Sequence, residues 1–537
     1  MVVVVVVVAV VEVIIIVVVA VLVIVVNNSE RTTTPHLLQV RPLLEELLER
    51  GHRVTSMVFR PLGISHGNYS EILLPSDLPE LAWEVNKVLD GKQMVEKTRN
   101  DSKGNVVISG IMDPSRWWRD YLMMDSLVDR AGRATVEPQE VQEMLRSGTK
   151  VDAVLGLFPQ MVATLAEVLD CPIIVFSPSS APHHVSAGLG GHLDPWLQPL
   201  PTSPFMEPMT WRQRVQNTVL YHTSLAMLDW LGRRVGLQQQ QVLGLSLPPH
   251  QVIIKHRSSI ILAMVDPVTH GSWPFPPSTV PISGLQLHAP LSPPGTMEHW
   301  ICGLLDSATH GAVLVSLGSS LQPHMMPEDK LAVLVAALGH LQYQVILRWP
   351  EQLAEVPGNV VVVPWVPQQQ VLAHSNTKLF LSHGGLASIT EALYHGTPLL
   401  AIPLSNDQKQ NVLRAEHLGY VVSVEWEGLS VEGLLEGVGR ALEPGVGESL
   451  ARVGQKYREG VEGVRGRAAR AVEQVCRHQG ARWLQPSVHL EEVSLLQFYH
   501  LDLLLCVVVS VTLPTLLAGL VCRLTTRRWT GDKVKTT

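Results

Sequence analysis

Short apolar runs rich in β-branched residues alternate with amphipathic segments along both halves of the chain. The runs are typical of buried strands, and the amphipathic segments have the spacing of helices. The predicted strands are residues 53–59, 153–157, 173–176, 312–317, 344–347, 360–363, 379–382 and 399–402, and the clearest predicted helices are residues 37–50, 328–341 and 388–394. Because strands that alternate with helices build parallel sheets, the pattern predicts an α/β fold.

A proline-rich stretch at residues 266–294 interrupts this alternation near the middle of the chain. We therefore predict two Rossmann-like domains, at residues 27–265 and 301–490, joined by a linker at residues 266–300. In open sheets of this kind a ligand binds beyond the carboxyl ends of the strands, so site residues are expected there.

Two further apolar segments lie near the ends of the 537-residue chain. Residues 2–26 are an almost unbroken run of Val, Ile and Ala, interrupted by Glu12. Residues 1–26 are interpreted as a signal peptide, an N-terminal anchor or a wrongly assigned first exon. Residues 503–522 are long enough to cross a bilayer, and they predict a C-terminal transmembrane helix.

Residues 523–537 form a tail with five Lys or Arg residues and one Asp. Membrane proteins keep basic flanks in the cytosol, so the tail is predicted to be cytosolic and the main part of the chain lumenal, in type I orientation. Asn-x-Ser sequons at Asn27, Asn68 and Asn100 agree with a lumenal glycoprotein.

Composition excludes several classes of function. The net charge is −7 and no basic cluster lies in the predicted lumenal part, which argues against nucleic-acid binding. The five cysteines are scattered without CxxC or Cys/His spacing, so neither a disulfide framework nor a zinc site is indicated. Since no Asp-x-Asp pair appears either, we expect chemistry that needs no metal.

Residues 365–411 concentrate side chains that can bind a nucleoside diphosphate-sugar. An indole can stack on a base, and groups at a helix start can meet a pyrophosphate, because free backbone N–H groups and the helix dipole favour anions there. A carboxylate can accept both ribose hydroxyls, and an Asp-Gln pair can bind sugar hydroxyls. The candidates are Trp365, Gln368, His383, Gly385, Ser388, Glu391, Asp407 and Gln408.

The order and spacing of these residues closely resemble the signature of the UDP-glycosyltransferase family, whose animal members are membrane-bound and transfer a sugar from a UDP-sugar to a small lipophilic acceptor. The resemblance implies the GT-B fold, in which two Rossmann-like domains face each other across a cleft. It assigns residues 27–265 to acceptor binding and residues 301–490 to UDP-sugar binding. Residues 209–217 are similar to invertebrate members of the family.

The resemblance also implies how the base and sugars are bound. Trp365 would stack on uracil, and Gln368 would bond the base or the ribose. Glu391 would accept the ribose hydroxyls, while Asp407 and Gln408 would contact the transferred sugar. From the residues alone, the alternatives are that Trp365 is a core side chain at a strand end and that Glu391 is a solvated helix carboxylate.

For the diphosphate, the resemblance points to two loops. His383 would face the phosphates, Gly385 would let the backbone come close, and Ser388 would present its hydroxyl at the helix start. Gly318 and Ser319 resemble a second phosphate loop of the family. A histidine at a strand end is often structural, so that alternative stays open for His383.

On the acceptor side, the resemblance makes His36 the general base, although a histidine at a helix start can also be a capping or surface residue. Imidazole titrates near neutral pH, which suits that role. In the family an Asp orients this base. Here Asp152 matches the first Asp of that motif, but the orienting position carries Leu157.

Two functions remain open on these grounds. The first is an endoplasmic-reticulum transferase that moves glucose or glucuronic acid to a small lipophilic acceptor, with inversion, a UDP-sugar as co-substrate and no further cofactor. Such an enzyme would serve in detoxification. The second is a membrane-tethered protein that binds a UDP-sugar without transferring it, because Leu157 replaces the orienting Asp. Homo- or hetero-oligomers are compatible with both.

Overall fold

The computed structural model describes residues 35–58, 61–74, 98–100, 106–108, 128–178, 189, 194–201, 203, 205–271, 275–288, 299–318, 326–404, 407–484 and 501–533. The chain divides into two compact units, Met1–Gln485 and Pro486–Thr537. The first unit holds all the strands described below, and the second holds one long helix. Within the first unit, we call the described residues up to 288 the first half and those from 299 to 484 the second half.

The strands of the first half form one main sheet and two separate pairs. They are β1 (Val54–Val58), β2 (Tyr69–Leu73), β3 (Thr98–Asn100), β4 (Val106–Ile108), β5 (Val154–Gly156), β6 (Ile173–Ser177), β7 (Ser258–Ala263) and β8 (Thr279–Pro281). The main sheet has the order β5–β6–β7–β8 and is parallel throughout. The pair β1–β2 is parallel, and the pair β3–β4 is antiparallel.

Helices of the first half cover these strands. They are α1 (Pro35–Glu49), α2 (Gln139–Arg146), α3 (Pro159–Val168), α4 (Trp211–Leu243), α5 (His250–Arg257) and α6 (Pro267–His270). The long helix α4 begins at a capping box, in which the side chains of Thr210 and Gln213 bond each other's backbone N–H groups, and it ends at Gly244 in the left-handed conformation. Both ends therefore have the local chemistry that fixes a helix boundary.

The second half is built on a six-stranded parallel sheet with the order β11–β10–β9–β12–β13–β14. The strands are β9 (Ala312–Ser316), β10 (Gln344–Arg348), β11 (Val360–Val363), β12 (Thr377–Ser382), β13 (Leu399–Ala401) and β14 (Val421–Ser423). The helices are α7 (His299–Ser307), α8 (Glu328–Gly339), α9 (Gln368–Ala373), α10 (Leu386–His395), α11 (Gln408–His417), α12 (Val431–Ala441), α13 (Pro444–Val461) and α14 (Val464–His478). The strand order reverses next to β9, and such a switch point opens a crevice at the carboxyl ends of the strands.

Every predicted strand and helix is present within a few residues of its expected bounds, and the prediction of an α/β fold with parallel sheets is confirmed. Strands β2, β3, β4, β7, β8 and β14 and helix α4 were not predicted. Strand β8 lies inside the expected linker and pairs with β7, so part of residues 266–300 completes the first sheet.

Helix α14 packs against the first half, although residues 301–490 were expected to form one domain. Val464 and Ala468 share a buried apolar cluster with Val40 and Leu43 of α1. At the rim of this contact, Glu473 of α14 accepts from His52 at 3.1 Å. The last helix of the first unit therefore belongs structurally to the first half, while the exact division into domains stays a prediction.

The second unit contains helix α15 (Leu501–Lys533). Its segment Leu501–Val521 has 21 residues, a mean hydropathy of 2.4 and no buried part, so by length and composition it can cross a membrane. This segment coincides with the predicted span. The apolar run at residues 2–26 lies outside the described residues.

Candidate functional site

The candidate site lies at the carboxyl edge of the second sheet. Four neighbouring strands contribute to it: Gly318 follows β9, Arg348 ends β10, Trp365 follows β11 and His383 follows β12. Because these strands are parallel, their carboxyl ends meet at one edge, which brings together residues that are far apart in sequence.

His383 occupies a slot between two glycines. A Cβ atom at Gly318 would lie 2.6 Å from Cε1 of the imidazole, and one at Gly385 would lie 2.6 Å from its Nε2. Gly318 also has a φ of +79°, which favours glycine. Ser382 Oγ lies 3.3 Å from His383 Nδ1. Only residues without a side chain fit beside this ring, so both glycines are required by its position.

The pKa of His383 is lowered to about 4 by burial and, secondarily, by the nearby Arg348 guanidinium. The ring is therefore neutral at physiological pH and offers one N–H donor rather than a charge.

Helix α10 begins directly after this slot, with Gly385 as its N-cap and no side chain closing its first turn. Ser388 is buried in that turn. The first N–H groups of a helix lack partners within the helix and favour anions. His383, Gly385 and Ser388 are thus brought together around one potential anion site.

Glu391 lies one helical turn after Ser388 and is buried. Its carboxylate accepts from Gln368 Nε2 at 2.7 Å and from Gln369 Nε2 at 3.4 Å. Burial raises the pKa of Glu391 to about 7, although both amide donors favour the charged form. Glu391 is therefore not a solvated helix carboxylate, but an acceptor held between two amides.

Gln369 was missed by sequence reasoning. It lies on α9 beside Gln368, and its Nε2 also donates to the Gln286 backbone carbonyl at 3.3 Å. The run of three glutamines at residues 368–370 was the available signal, since adjacent amides at a helix start can converge on one carboxylate.

Trp365 presents an exposed ring, with 46% of the residue accessible, so it is not a core side chain. The Arg348 guanidinium carbon lies 5.5 Å from the ring centroid. A second contact of Arg348 runs to the phosphate-loop candidate, because its Nη1 donates to the Gly318 carbonyl at 2.7 Å. An exposed indole next to the site can serve as a stacking surface for a flat base.

Asp407 and Gln408 lie at the start of α11. The Asp407 carboxylate accepts from Asn411 Nδ2 at 2.8 Å, and Gln408 Oε1 accepts from the Leu404 N–H at 2.9 Å. The same helix contacts the first half, where Arg414 pairs with Glu207 at 2.8 Å. The pair expected to bind the sugar is therefore carried by a helix that contacts the first half.

The acceptor side is described less fully. His36 lies in the first turn of α1, but its side chain falls outside the described residues, as does Ser319. Leu157 follows β5 and packs against the apolar cluster that contains Val40 and Leu43. Asp152 precedes β5, at the opposite end of that strand from Leu157, and lies 3.9 Å from Lys150.

In the part of the chain that the structure describes, no group of three or more His, Cys, Asp or Glu side chains could hold a metal ion. The expectation that the UDP-sugar needs neither a metal nor a further cofactor stays a prediction.

Comparison with known sequences gives a match over nearly the whole chain. The profile of the family described as "UDP-glucoronosyl and UDP-glucosyl transferase" matches residues 21–536. UDP-glucuronosyltransferase 2B1 of Rattus norvegicus is 27% identical over 507 residues, which cover 91% of this chain and 92% of the relative. UDP-glycosyltransferase UGT5 of Dactylopius coccus is 25% identical over 488 residues, which cover 89% and 88% of the two chains.

Two solved structures are similar in fold. A UDP-glucosyltransferase from Polygonum tinctorium, capable of glucosylating indoxyl, matches with a TM-score of 0.51 and 19% identity, covering 82% of this chain and 95% of its own. Os79 from O. sativa, in complex with UDP, matches with a TM-score of 0.50 and 18% identity, covering 82% and 98%. The expectation of a GT-B fold is confirmed.

Proposed function

Because the chain belongs to the UDP-glucuronosyl and UDP-glucosyl transferase family, a family of hexosyltransferases, we propose that it transfers glucose or glucuronic acid from a UDP-sugar to a small lipophilic hydroxyl compound. The second half would hold the UDP-sugar, and the first half would hold the acceptor. The observation that carries the proposal is the unit formed by β12 and α10. It brings the His383 slot, the open helix start and the buried Glu391 carboxylate together in the short segment 383–391.

Each part of the donor finds matching chemistry at this edge. Trp365 offers a face for uracil, and Glu391 offers a carboxylate for the ribose hydroxyls. The neutral His383 and the N–H groups at the start of α10 suit the diphosphate. Asp407 and Gln408 would contact the hexose from the start of α11.

In the proposed reaction His36 acts as the general base. It takes the proton from the acceptor hydroxyl while that oxygen forms a bond to the anomeric carbon of the sugar. The bond between the anomeric carbon and the β-phosphate oxygen breaks on the opposite face, so UDP leaves and the configuration inverts. The support for His36 is its place at the start of α1 and the ordinary pKa of imidazole.

A second function is favoured by Leu157. The position that carries an orienting Asp in the family holds an apolar side chain packed against α1. A base without an orienting carboxylate is a weaker catalyst. Binding of a UDP-sugar without turnover is therefore the alternative function.

We also propose that the enzyme is a type I protein of the endoplasmic reticulum membrane, with its first unit in the lumen. The apolar segment Leu501–Val521 and the basic tail after it support this orientation. The sequon residue Asn68 is exposed, as glycosylation requires.

The test is sugar transfer by membranes that contain the full chain. UDP-glucose and UDP-glucuronic acid are offered against a panel of phenols and steroids, with the wild type and His36→Ala compared. We expect turnover by the wild type and a loss of roughly 10²–10⁴-fold in His36→Ala, which is the usual contribution of a general base. UDP affinity should not change.

The matched control is His256→Ala, which removes an exposed histidine of α5 in the same half and should keep full turnover. Intact UDP binding by a wild type that turns over no acceptor of the panel would favour the binding-only alternative. Full activity in His36→Ala would exclude His36 as the base.

A further inference from the structure

Arg348 joins two parts of the candidate site that belong to different strands. Its guanidinium carbon lies 5.5 Å from the centroid of the Trp365 ring, within the range of a cation–π contact. Its Nη1 donates to the Gly318 carbonyl at 2.7 Å. Gly318 in turn borders the His383 ring. One side chain therefore contacts both the expected base platform and the expected phosphate loop.

Among the residues that the structure describes, no carboxylate balances the charge of this side chain. In the described part of the chain, the Arg348 Nε–H is buried and has no hydrogen-bond partner. Burial lowers the pKa of Arg348, and no described carboxylate offsets that effect. The adjacent residues 319–325 contain neither Asp nor Glu.

Arg348 is half-buried, and a cation that is partly removed from water without a counter-charge is costly, so proteins keep one mainly where a ligand supplies that charge. Guanidinium groups bind phosphates with short, charge-assisted hydrogen bonds and stack on aromatic faces at the same time. Both properties apply to Arg348. Its guanidinium lies over the Trp365 ring, and its Nε–H has no hydrogen-bond partner among the described residues. The neutral His383 supplies no positive charge at this edge.

We propose that Arg348 is the cation that binds the diphosphate of the donor, and that its stacking on Trp365 fixes the distance between base and phosphates. The proposal rests on the proposed function, since it concerns the same UDP-sugar site. It assigns to Arg348 the discrimination between a nucleoside diphosphate and a neutral nucleoside.

The experiment compares the dissociation constants of UDP and uridine by titration calorimetry on the full chain in detergent. The variants are Arg348→Gln, which removes the charge, and Arg348→Lys, which keeps it. Arg440→Gln is the matched control, because Arg440 also donates to a backbone carbonyl, that of Ser423 at 3.0 Å, but is exposed.

We expect Arg348→Gln to lose roughly 10- to 100-fold in UDP affinity, as for a hydrogen bond to a charged group, and less than about 3-fold in uridine affinity. Arg348→Lys should keep most of the preference for UDP over uridine, and Arg440→Gln should match the wild type.

Equal losses for UDP and uridine in Arg348→Gln would overturn the proposal, because Arg348 would then only support the platform. Arg348→Met, which also removes the charge, decides the matter by the same criterion if Arg348→Gln does not fold. A wild type that binds neither ligand would instead contradict the proposed function itself.

Discussion

The two main sheets of the first unit carry different side chains at the same structural position, the edge formed by the carboxyl ends of their strands. In the second half this edge carries Arg348 and His383, with the buried Glu391 on the helix that follows. In the first half β5 is followed by the partly buried Leu157, and β7 by the buried Met264.

This difference teaches that the α/β architecture provides the edge, while a few residues after each strand decide what the edge can bind. The polar edge suits a ligand with fixed charges, such as a nucleotide, and the apolar edge suits a lipophilic one. The same contrast raises the question of how an apolar edge would support the proposed proton transfer. Substitutions of single side chains at each edge can answer it.

The largest effect is expected from placing a carboxylate at the apolar edge. Leu157→Asp would put an acid next to α1, which carries His36, and we expect kcat to rise at least about tenfold. The ceiling is about 10⁴, the loss seen when the Asp of a serine-protease triad becomes Asn. The lost apolar contact should lower the free energy of unfolding by up to about 3 kcal/mol. Steady-state kinetics and urea unfolding measure the two effects.

Leu157→Asn is the control for this exchange, since it has nearly the shape of Asp without the charge. It should lose similar stability and gain no turnover. If Leu157→Asp gains none either, the base is oriented by a group other than a carboxylate at this position.

An intermediate effect is expected from filling the slot at the polar edge. In Gly318→Ala the new Cβ would collide with the His383 ring, so UDP affinity should fall more than about tenfold. Gly396→Ala is the control, because Gly396 has a similar φ of +74° and its Cβ would meet no atom within 4 Å. Both variants bear the cost of a left-handed residue, about 1–2 kcal/mol, but only Gly318→Ala should lose affinity.

Calorimetric titration with UDP separates the effect of the left-handed backbone, which both variants share, from the effect of the collision with His383. Equal UDP affinities in the two alanine variants would show that the His383 ring can shift without consequence, and the glycine slot would then lose its functional meaning.

The smallest effect concerns pH at the polar edge. The pKa of Glu391 is raised to about 7, so its carboxylate is mostly charged only above that pH. We expect uridine affinity to rise by up to about tenfold between pH 6 and pH 8, because the charged form accepts the ribose hydroxyls better. Uridine is the suitable ligand, since it has no phosphate that titrates in this range.

Without ligand, the stability of the folded protein depends on pH in the opposite direction to the uridine affinity. The raised pKa of Glu391 favours the protonated folded state, so its contribution to the free energy of unfolding is present at low pH and is lost as the pH rises through about 7. Glu391→Gln should remove both dependences. A pH profile that is unchanged in Glu391→Gln would assign the titration to another group.

Much of the second sheet could be predicted from the sequence, because its strands are buried on both faces and read as continuous apolar runs. Helix α4 could not, since its buried face mixes apolar residues such as Leu231 with polar ones such as Asn217 and Gln239, which interrupt the apolar stripe. Strand β8 was hidden by the prolines around it, and its Pro281 is tolerated because β8 lies at the sheet edge.

For the site, residue types and strand ends could be predicted, but contacts between strands could not. The spacing pointed to Glu391 as a ribose acceptor, yet the two amides that hold it come from α9, a separate element. The contacts of Arg348 with Trp365 and Gly318 join three strands and depend on the sheet order, which local patterns do not encode.

The packing of α14 on the first half has a mechanical consequence. The described chain leaves the first half after residue 288 and returns to it at α14, which begins shortly after α13 ends. Two connections between the halves restrict their relative motion, so we expect a hinge rotation about one axis rather than free rotation. Because α13 packs with α10 in the second half and α14 packs on the first half, such a rotation would bend the chain at residues 462–463, which join these two helices.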